Sequence, residues 1–345
     1  ILNTCVQCRG CEPACPSGVP YGRLIEAAKN ELAAQHRSAP WWQRFGLRLL
    51  RHHRLLLIGT PILAVAQRLH LIPKRAGLST LPMRLGPPVV ATSLAPDVWL
   101  FTGCVMDAWQ RSTHRSVAAL IEAAGFSCGI PTKAGSCCGA LHSHAGLTHE
   151  AQSLAKSVMT SMPGASPIIV DSAGCGAALK DYGHLLGTPE AVAFSERVFD
   201  VHEWLEPHIT SVIATHVPDG DKIDVVIQDP CHLRHVQKAH LAVRSILAPV
   251  AHLIELDDDG LCCGAGGAYS VVEPELAGQI RNRKVRNILT KSPTAKTLVA
   301  SANPGCLMYL QGSGLVVKHP VDILAEALGL VPTTDQPPTK GSAKS

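Results

Sequence analysis

Thirteen cysteines carry most of the chemistry this 345-residue chain can offer, and they are grouped rather than scattered. Two adjacent pairs, Cys137-Cys138-Gly139 and Cys262-Cys263-Gly264, are hard to explain as packing, because a core cysteine needs no twin. The second pair runs on into Ala265-Gly266-Gly267. Neighbouring thiolates can reach one soft metal centre from a single short loop, and backbone without side chains lets a bulky group come close. Adjacent cysteines are poor disulfide partners for each other, since so short a ring is strained. Each pair has a single cysteine well before it and another well after it, Cys104 and Cys175 for the first, Cys231 and Cys306 for the second. Metal or cluster ligation by Cys104, Cys137, Cys138 and Cys175, and by Cys231, Cys262, Cys263 and Cys306, is the chemistry these positions indicate, with zinc left open as the metal.

A third group is tighter. Cys5-Val6-Gln7-Cys8-Arg9-Gly10-Cys11-Glu12-Pro13-Ala14-Cys15-Pro16 fits the C-x2-C-x2-C-x3-C-P run of bacterial ferredoxins without a gap. Two-residue spacers let three thiolates of one loop hold three corners of a cubane, and the following proline turns the chain away. Zinc sites more often pair one C-x2-C with a distant second pair. In two-cluster ferredoxins the fourth cysteine of such a run serves the other cluster. Cys5, Cys8 and Cys11 are therefore expected to hold one [4Fe-4S] cluster and Cys15 to belong to another. The matching run is not in the sequence, which begins at Ile1 inside this motif and reads as a fragment. Twelve cysteines are placed by these groups. The thirteenth, Cys128, lies in an apolar stretch and reads as a small buried hydrophobe.

Elements must deliver these residues. Tyr21 to Leu32 reads as a helix after the ferredoxin-like run, and the apolar residues between Trp41 and Leu71, interspersed with Arg44, Arg48, Arg51, Arg54 and Arg68, read as one or two amphipathic helices. A packed helical spacer is the expected role of that stretch, with a membrane-surface helix as the rival. Prolines at 73, 82, 87, 88 and 96 mark a linker. Strands are expected at 97–102, 126–130 and 167–171, and again at 222–228, 252–256 and 295–300, with helices at 111–124, 148–159, 235–247, 274–289 and 321–328. The cysteine spacings repeat with this order: 33 positions from Cys104 to Cys137 against 31 from Cys231 to Cys262, and 37 from Cys138 to Cys175 against 43 from Cys263 to Cys306. Duplication of an α/β unit with a mainly parallel sheet accounts for both patterns. Each cysteine then falls at a sheet's carboxyl edge, where open α/β folds place ligands. The chain divides into a partial, all-α ferredoxin-type domain (1–35), a helical spacer and linker (36–96), two cysteine-rich modules (97–216 and 217–331) and a disordered tail (332–345).

Bulk properties bound the function. A hydrophobic content of 46% suits globular domains, and a net charge of +4 with 4% aromatics gives neither the basic field nor the stacking surface of a nucleic-acid binder. The greasiest stretch, 55–66, is shorter than the ~20 residues of a membrane span. Clustered cysteines in a long chain favour a reducing compartment and metal sites over a disulfide scaffold. The loop at 264–267 lacks both G-x-G-x-x-G and a P-loop lysine, so nucleotide binding is discounted. His142, His144, His232 and His235 stand beside cysteine motifs; they read as solvated loop residues, with tuning of a cluster as the alternative. No catalytic acid/base set is evident.

The ferredoxin-type run followed by Ser17-Gly18-Val19-Pro20, the two Cys-Cys-Gly modules, Ser172-Ala173-Gly174-Cys175-Gly176 and Asn303-Pro304-Gly305-Cys306 together resemble the iron-sulfur subunit of bacterial glycolate oxidase, in order from Cys5 to about Leu328. Lactate-utilisation, anaerobic glycerol-3-phosphate dehydrogenase and heterodisulfide reductase subunits share less specific motifs. The resemblance implies an electron-transfer subunit without its own substrate site, which takes electrons from a partner FAD subunit that oxidises a 2-hydroxy acid and passes them through [4Fe-4S] clusters to a quinone or another acceptor. It also implies a cytoplasmic setting, with peripheral attachment at the inner face of the membrane. The family's first ferredoxin run is absent here, and each module ends in one cysteine where heterodisulfide reductase modules have C-x-x-C. A thiol-disulfide enzyme of that kind and a zinc-stabilised assembly scaffold are the alternatives.

Overall fold

The computed structural model describes residues 4–35, 40–71, 79–132, 135–216, 222–258, 260–292 and 297–330; the expected tail at 332–345 lies outside them. Its framework is two four-stranded sheets, parallel throughout. In the first, β1 (Val98–Phe101), β2 (Cys128–Gly129), β3 (Ile168–Val170) and β4 (Val198–Asp200) are arranged β2-β1-β3-β4. The second repeats that order with β5 (Ile223–Ile227), β6 (Ala251–Ile254), β7 (Leu298–Ala300) and β8 (Val316–Lys318), as β6-β5-β7-β8. All four residues of β1 and all three of β3 are buried, as expected for parallel strands covered on both faces. The fold class is thus α/β, with the sequence repeat reproduced as a repeat of topology.

The fourth strands, β4 and β8, were not expected. Each is three residues long and is recruited by pairing with the strand before it: Ile168 with Val198, and Leu298 with Val316. A second difference lies after Cys231. In place of an α-helix starting at His235, His232–Gln237 forms a π-helical turn, closed by Lys238 at φ +59°, and the α-helix proper spans His240–Leu247. Such turns are frequent at functional sites.

The two units share one core. Helices Arg111–Ala123 and Val201–His208 of the first unit meet Pro320–Ala327 and His240–Leu247 of the second, and Val117, Ile121, Trp204 and Leu205 belong to the same buried cluster as Val243, Ile246, Ile323 and Leu324. Polar residues are buried at the same junction. His114 Nδ1 shares a 2.6 Å hydrogen bond with Asp171 Oδ2, and His202 Nδ1 shares one of 2.6 Å with Asp200 Oδ1. Asp200 also caps helix Val201–His208 in a capping box with Glu203. The His202 ring stacks on His319 of the second unit at 5.3 Å, and Thr113 Oγ1 donates to Asp322 Oδ2 across the junction at 2.8 Å. Such contacts are strong in a low-dielectric interior and costly when half-made.

Helices Trp41–Leu50 and His53–Arg68 occupy the stretch read as one or two amphipathic helices. Leu47 packs with Ala145 and Leu147, Trp109 Nε1 donates to Thr60 Oγ1 at 2.9 Å, and His53 Nε2 lies 2.6 Å from Asp107 Oδ2.

Burial alone would lower the pKa of His114, but the charge and hydrogen bond of Asp171 outweigh it and hold the imidazole above its ordinary 6.5. A proton bound more tightly in the folded chain stabilises fully below pH 6.5, and that stability is lost as pH rises through the raised folded value. Denaturant midpoints followed upward from about pH 6 should therefore fall more steeply for the native chain than for His114→Gln. Coincident curves would remove the pair from the account of stability.

Candidate metal centres

Each sheet presents its cysteines at the carboxyl edge. After β1, Gly103 at φ +61° turns the chain into helix Cys104–Trp109, whose first residue is Cys104. After β3, helix Ala173–Lys180 carries Cys175 in its first turn. After β7, Cys306 has the equivalent place in helix Pro304–Gln311, while Cys231 follows β5 and opens the π-helical turn. First-turn positions of helices favour thiolates, because unpaired N–H groups and the helix dipole stabilise negative charge there. The loops after β2 and β6 bring in the pairs Cys137-Cys138 and Cys262-Cys263. Their glycines are left-handed: Gly139 at φ +86° and Gly264 at φ +90°. A Cβ on Gly264 would lie 2.5 Å from the Ala277 carbonyl oxygen, so only glycine lets this loop sit against helix Pro274–Lys291.

Within each unit the four sulfurs form a continuous chain. In the first, Cys104 contacts Cys137, Cys137 contacts Cys138, and Cys138 Sγ lies 3.3 Å from Cys175 Sγ. In the second, Cys231 contacts Cys262, Cys262 contacts Cys263, and Cys263 Sγ lies 2.8 Å from Cys306 Sγ. Seven of the eight are buried and Cys175 is half-buried. Thiol contact with Cys137 and then burial push Cys104 and Cys138 well above the ordinary thiol value, whereas Cys137, which accepts from Cys104 and Cys138, is pushed well below it. Contact with Cys262 and burial push Cys231 up. Cys262 and Cys263 are each lowered by the neighbour that donates to them, but contact on the other side and burial leave both well above the ordinary value. Thiolate ligation must then displace protons, and it would do so where backbone N–H groups already face sulfur, as Gly264 N–H faces Cys262 Sγ at 3.3 Å. A donor set of eight soft thiols, seven of them buried, fits iron-sulfur ligation. Among the described residues, no three Cys, His, Asp or Glu side chains stand as a ready-made site for one metal ion.

The ferredoxin-type loop is wedged against both units. Gln7 and Arg9 have φ of +57° and +58°, uncommon for residues with side chains, and Gln7 N–H points at Cys5 Sγ at 3.4 Å. Tyr269 OH donates to Thr4 O at 2.9 Å, and Val6 packs on Gly266 beside the second Cys-Cys-Gly loop. Gln7 Nε2 and Lys29 Nζ both donate to His144 O, each at 3.1 Å, beside the first. Burial raises the Cys8 thiol, and the charges of Cys231 and Cys5 add to that rise, so Cys8 lies within electrostatic reach of the second unit's sulfurs. Cys11 is exposed and feels Cys8 and Cys5. Cys15 sits instead among the backbone N–H groups of Val19, Ser17 and Gly18, which lower its pKa.

Cys128 is fully buried at the start of β2, and desolvation pushes its thiol up to about 12, as befits a small apolar residue. Of the four histidines, His142 is buried and its ring faces Cys137, His232 Nδ1 is 3.5 Å from Cys231 Sγ, and His144 and His232 have ring centroids 5.7 Å apart. His235 packs against Gly10 of the ferredoxin-type loop. All four lie on helical turns and none is exposed, so the solvated-loop reading does not hold.

Sequence reasoning missed Asn303. Its Oδ1 accepts from Gly174 N–H at 3.1 Å, one residue before Cys175, while its Nδ2 donates to Cys306 Sγ at 3.6 Å. One side chain thus touches the surroundings of both sulfur chains. Gln237 Nε2 adds a 3.0 Å bond to Ala173 O, and Tyr182 OH donates to Cys138 O at 2.8 Å. Nothing in their spacing distinguished them.

Two parallel sheets, each with four thiols at its carboxyl edge, define a protein of two cysteine-rich domains. The Cysteine-rich domain family matches residues 98–180 and 225–311. More particularly, the chain belongs to the family of glycolate oxidase iron-sulfur subunits. It is 31% identical to the probable glycolate oxidase iron-sulfur subunit of Bacillus subtilis and 27% identical to that of Escherichia coli, in each case over 95% of this chain and 82% of the relative. It is also 29% identical to one of the subunits of the dihydromethanophenazine:CoB–CoM heterodisulfide reductase of Methanosarcina barkeri, over 71% of this chain and 62% of that one.

A positive-φ residue forced to carry a Cβ costs about 1–3 kcal/mol. Gly264→Ala should lose at least that much in chemical denaturation, because the clash with Ala277 adds to it. Gly278→Ala, on the same helix with open space around it, should be neutral or stabilise by about 0.5–1 kcal/mol. Equal effects at the two sites would contradict the role given to the loop glycine.

Proposed function

We propose that this chain is the electron-transfer subunit of a complex that oxidises glycolate or a related 2-hydroxy acid, with the oxidation itself carried out at FAD on partner subunits and a quinone or other acceptor at the far end. The observation that carries the reading is the convergence of three cysteine groups: two four-thiol chains, with the ferredoxin-type loop wedged against both Cys-Cys-Gly loops and Cys8 within electrostatic reach of Cys231. Cys5, Cys8 and Cys11 would hold one [4Fe-4S] cluster, Cys15 would serve a second, and Cys104, Cys137, Cys138 and Cys175, with Cys231, Cys262, Cys263 and Cys306, would ligate further centres. Such clusters supply reversible one-electron storage, which lets a two-electron oxidation at flavin feed acceptors one electron at a time.

The chain's own residues do the positioning. Arg9 Nε bonds Glu12 Oε2 at 3.0 Å and Gly22 N–H donates to Glu12 Oε1 at 2.6 Å, which ties the ferredoxin-type loop to helix Tyr21–Ala34. Tyr269 and Gln7 then hold that loop against the two units. Charge on Cys231 is felt at Cys8, so a centre held by Cys5, Cys8 and Cys11 would lie within electrostatic reach of the second unit. Asn303 links the surroundings of Cys306 and Cys175 and would hold the two sulfur chains in register. The setting we propose is cytoplasmic, where thiols stay reduced. Against a thiol-disulfide enzyme stands the single cysteine ending each module, followed three positions on by Ala178 or Tyr309 rather than cysteine.

Anaerobic reconstitution should give iron, acid-labile sulfide and broad visible absorbance. Cys263→Ser or Cys306→Ser should lower the iron and sulfide content, and Cys128→Ala should leave both unchanged. Zinc without sulfide would sink the proposal in favour of the scaffold. Co-purification with an FAD protein whose activity responds to lactate or glycerol 3-phosphate, and not to glycolate, would move the chain to a neighbouring family.

A further inference from the structure

The helical hairpin of residues 41–68 is packed on one side and open on the other. Leu47, Thr60 and Ala64 face inward, at 3%, 0% and 0% exposure. The outward residues are apolar as well. Phe45 and Leu49 are exposed at a spacing of four, and Leu55, Ile58, Ile62, Val65 and Leu69 recur at intervals of three and four, a single stripe along the second helix. Ile58 and Ile62 are each 67% exposed and Trp41, at the start of the first helix, is 80% exposed. A helix with an apolar stripe toward solvent as well as toward its core marks an interaction surface.

Charge identifies the partner. Residues 40–71 contain Arg44, Arg48, Arg51, Arg54 and Arg68 and no aspartate or glutamate, so this segment alone exceeds the chain's formal net charge of +4. The first four of these arginines are exposed. A protein partner that must be held in register is usually met by charges of both signs, whereas a headgroup plane is uniformly negative and needs no register. Arginine can lay its stem along apolar surface with its head in the polar layer, and tryptophan is enriched at that depth. No helix among the described residues is long and apolar enough to cross a membrane. We propose that the hairpin Trp41–Arg68 seats this protein on an anionic lipid bilayer, lying in the headgroup layer without spanning it. The proposal is independent of which substrate or acceptor the complex uses.

The test is co-sedimentation of the holoprotein with phosphatidylcholine vesicles, with and without phosphatidylglycerol. Binding should require phosphatidylglycerol and weaken at high salt. It should fall on the order of a hundredfold in Arg44→Gln/Arg48→Gln/Arg51→Gln, and be lost in Ile58→Glu/Ile62→Glu. These side chains are exposed, so unchanged circular dichroism and visible absorbance should accompany the losses. The proposal is overturned if the native protein ignores anionic vesicles or if Ile58→Glu/Ile62→Glu binds them as well as the native chain. It is equally overturned if light scattering shows that the face is closed by a second copy, as a dimer that the same variant dissociates, or if a flavoprotein partner needs the same residues to bind.

Discussion

The parallel pairing of β1 with β3, and of β5 with β7, is the constraint on which the rest of this structure depends. Parallel strands point their carboxyl ends the same way, so every loop that follows them opens at one edge. Cys104 and Cys175 are 71 positions apart in sequence, yet the register Leu100 to Ile169 places the ends of their strands side by side. The pair Cys137-Cys138 enters from the flanking β2, and the second unit repeats the arrangement. An antiparallel sheet of the same strands would send half of these thiols to the opposite edge. The meeting of four distant thiols therefore follows from sheet topology, with local loop chemistry deciding only how closely the sulfurs approach.

A second dependence links the two units. Their outer helices share one apolar core, and the junction also buries His114, Asp171, Asp200, His202 and His319. Buried polar groups tolerate little rearrangement, because a broken hydrogen bond there leaves a desolvated group unpaired. The two sulfur chains are consequently held in fixed relation, and Asn303 can bond at once to the backbone beside Cys175 and to the thiol of Cys306. Separate modules on a flexible linker would present the same cysteines without that relation.

The helical hairpin follows a different logic. Its inward face is fixed by Leu47 and by small or polar groups, among them Thr60, which accepts from Trp109, and Ala64. The larger aliphatic side chains are left outside. Burial of those side chains therefore contributes little to holding the hairpin in place, and its outer surface is available for other contacts.

Much of this was legible in the sequence. The ferredoxin-type run, the two Cys-Cys-Gly loops, the duplicated spacings and the six longer strand signals predicted two parallel α/β units, because cysteine spacing and buried apolar runs are local properties. The edge strands β4 and β8 were not legible, since no longer apolar run surrounds them and they become strands only by pairing with β3 and β7. Nor was the π-helical turn at His232–Gln237, or the role of Asn303, whose partners lie 129 positions away and three positions away on different elements. By itself the sequence determined which residues can ligate and in what order they arrive, through side-chain chemistry and strand patterning. Tertiary structure alone decided which sulfurs meet, that Cys8 comes within electrostatic reach of Cys231, and that an apolar stripe stays in solvent, because each depends on the packing of segments that share no sequence signal.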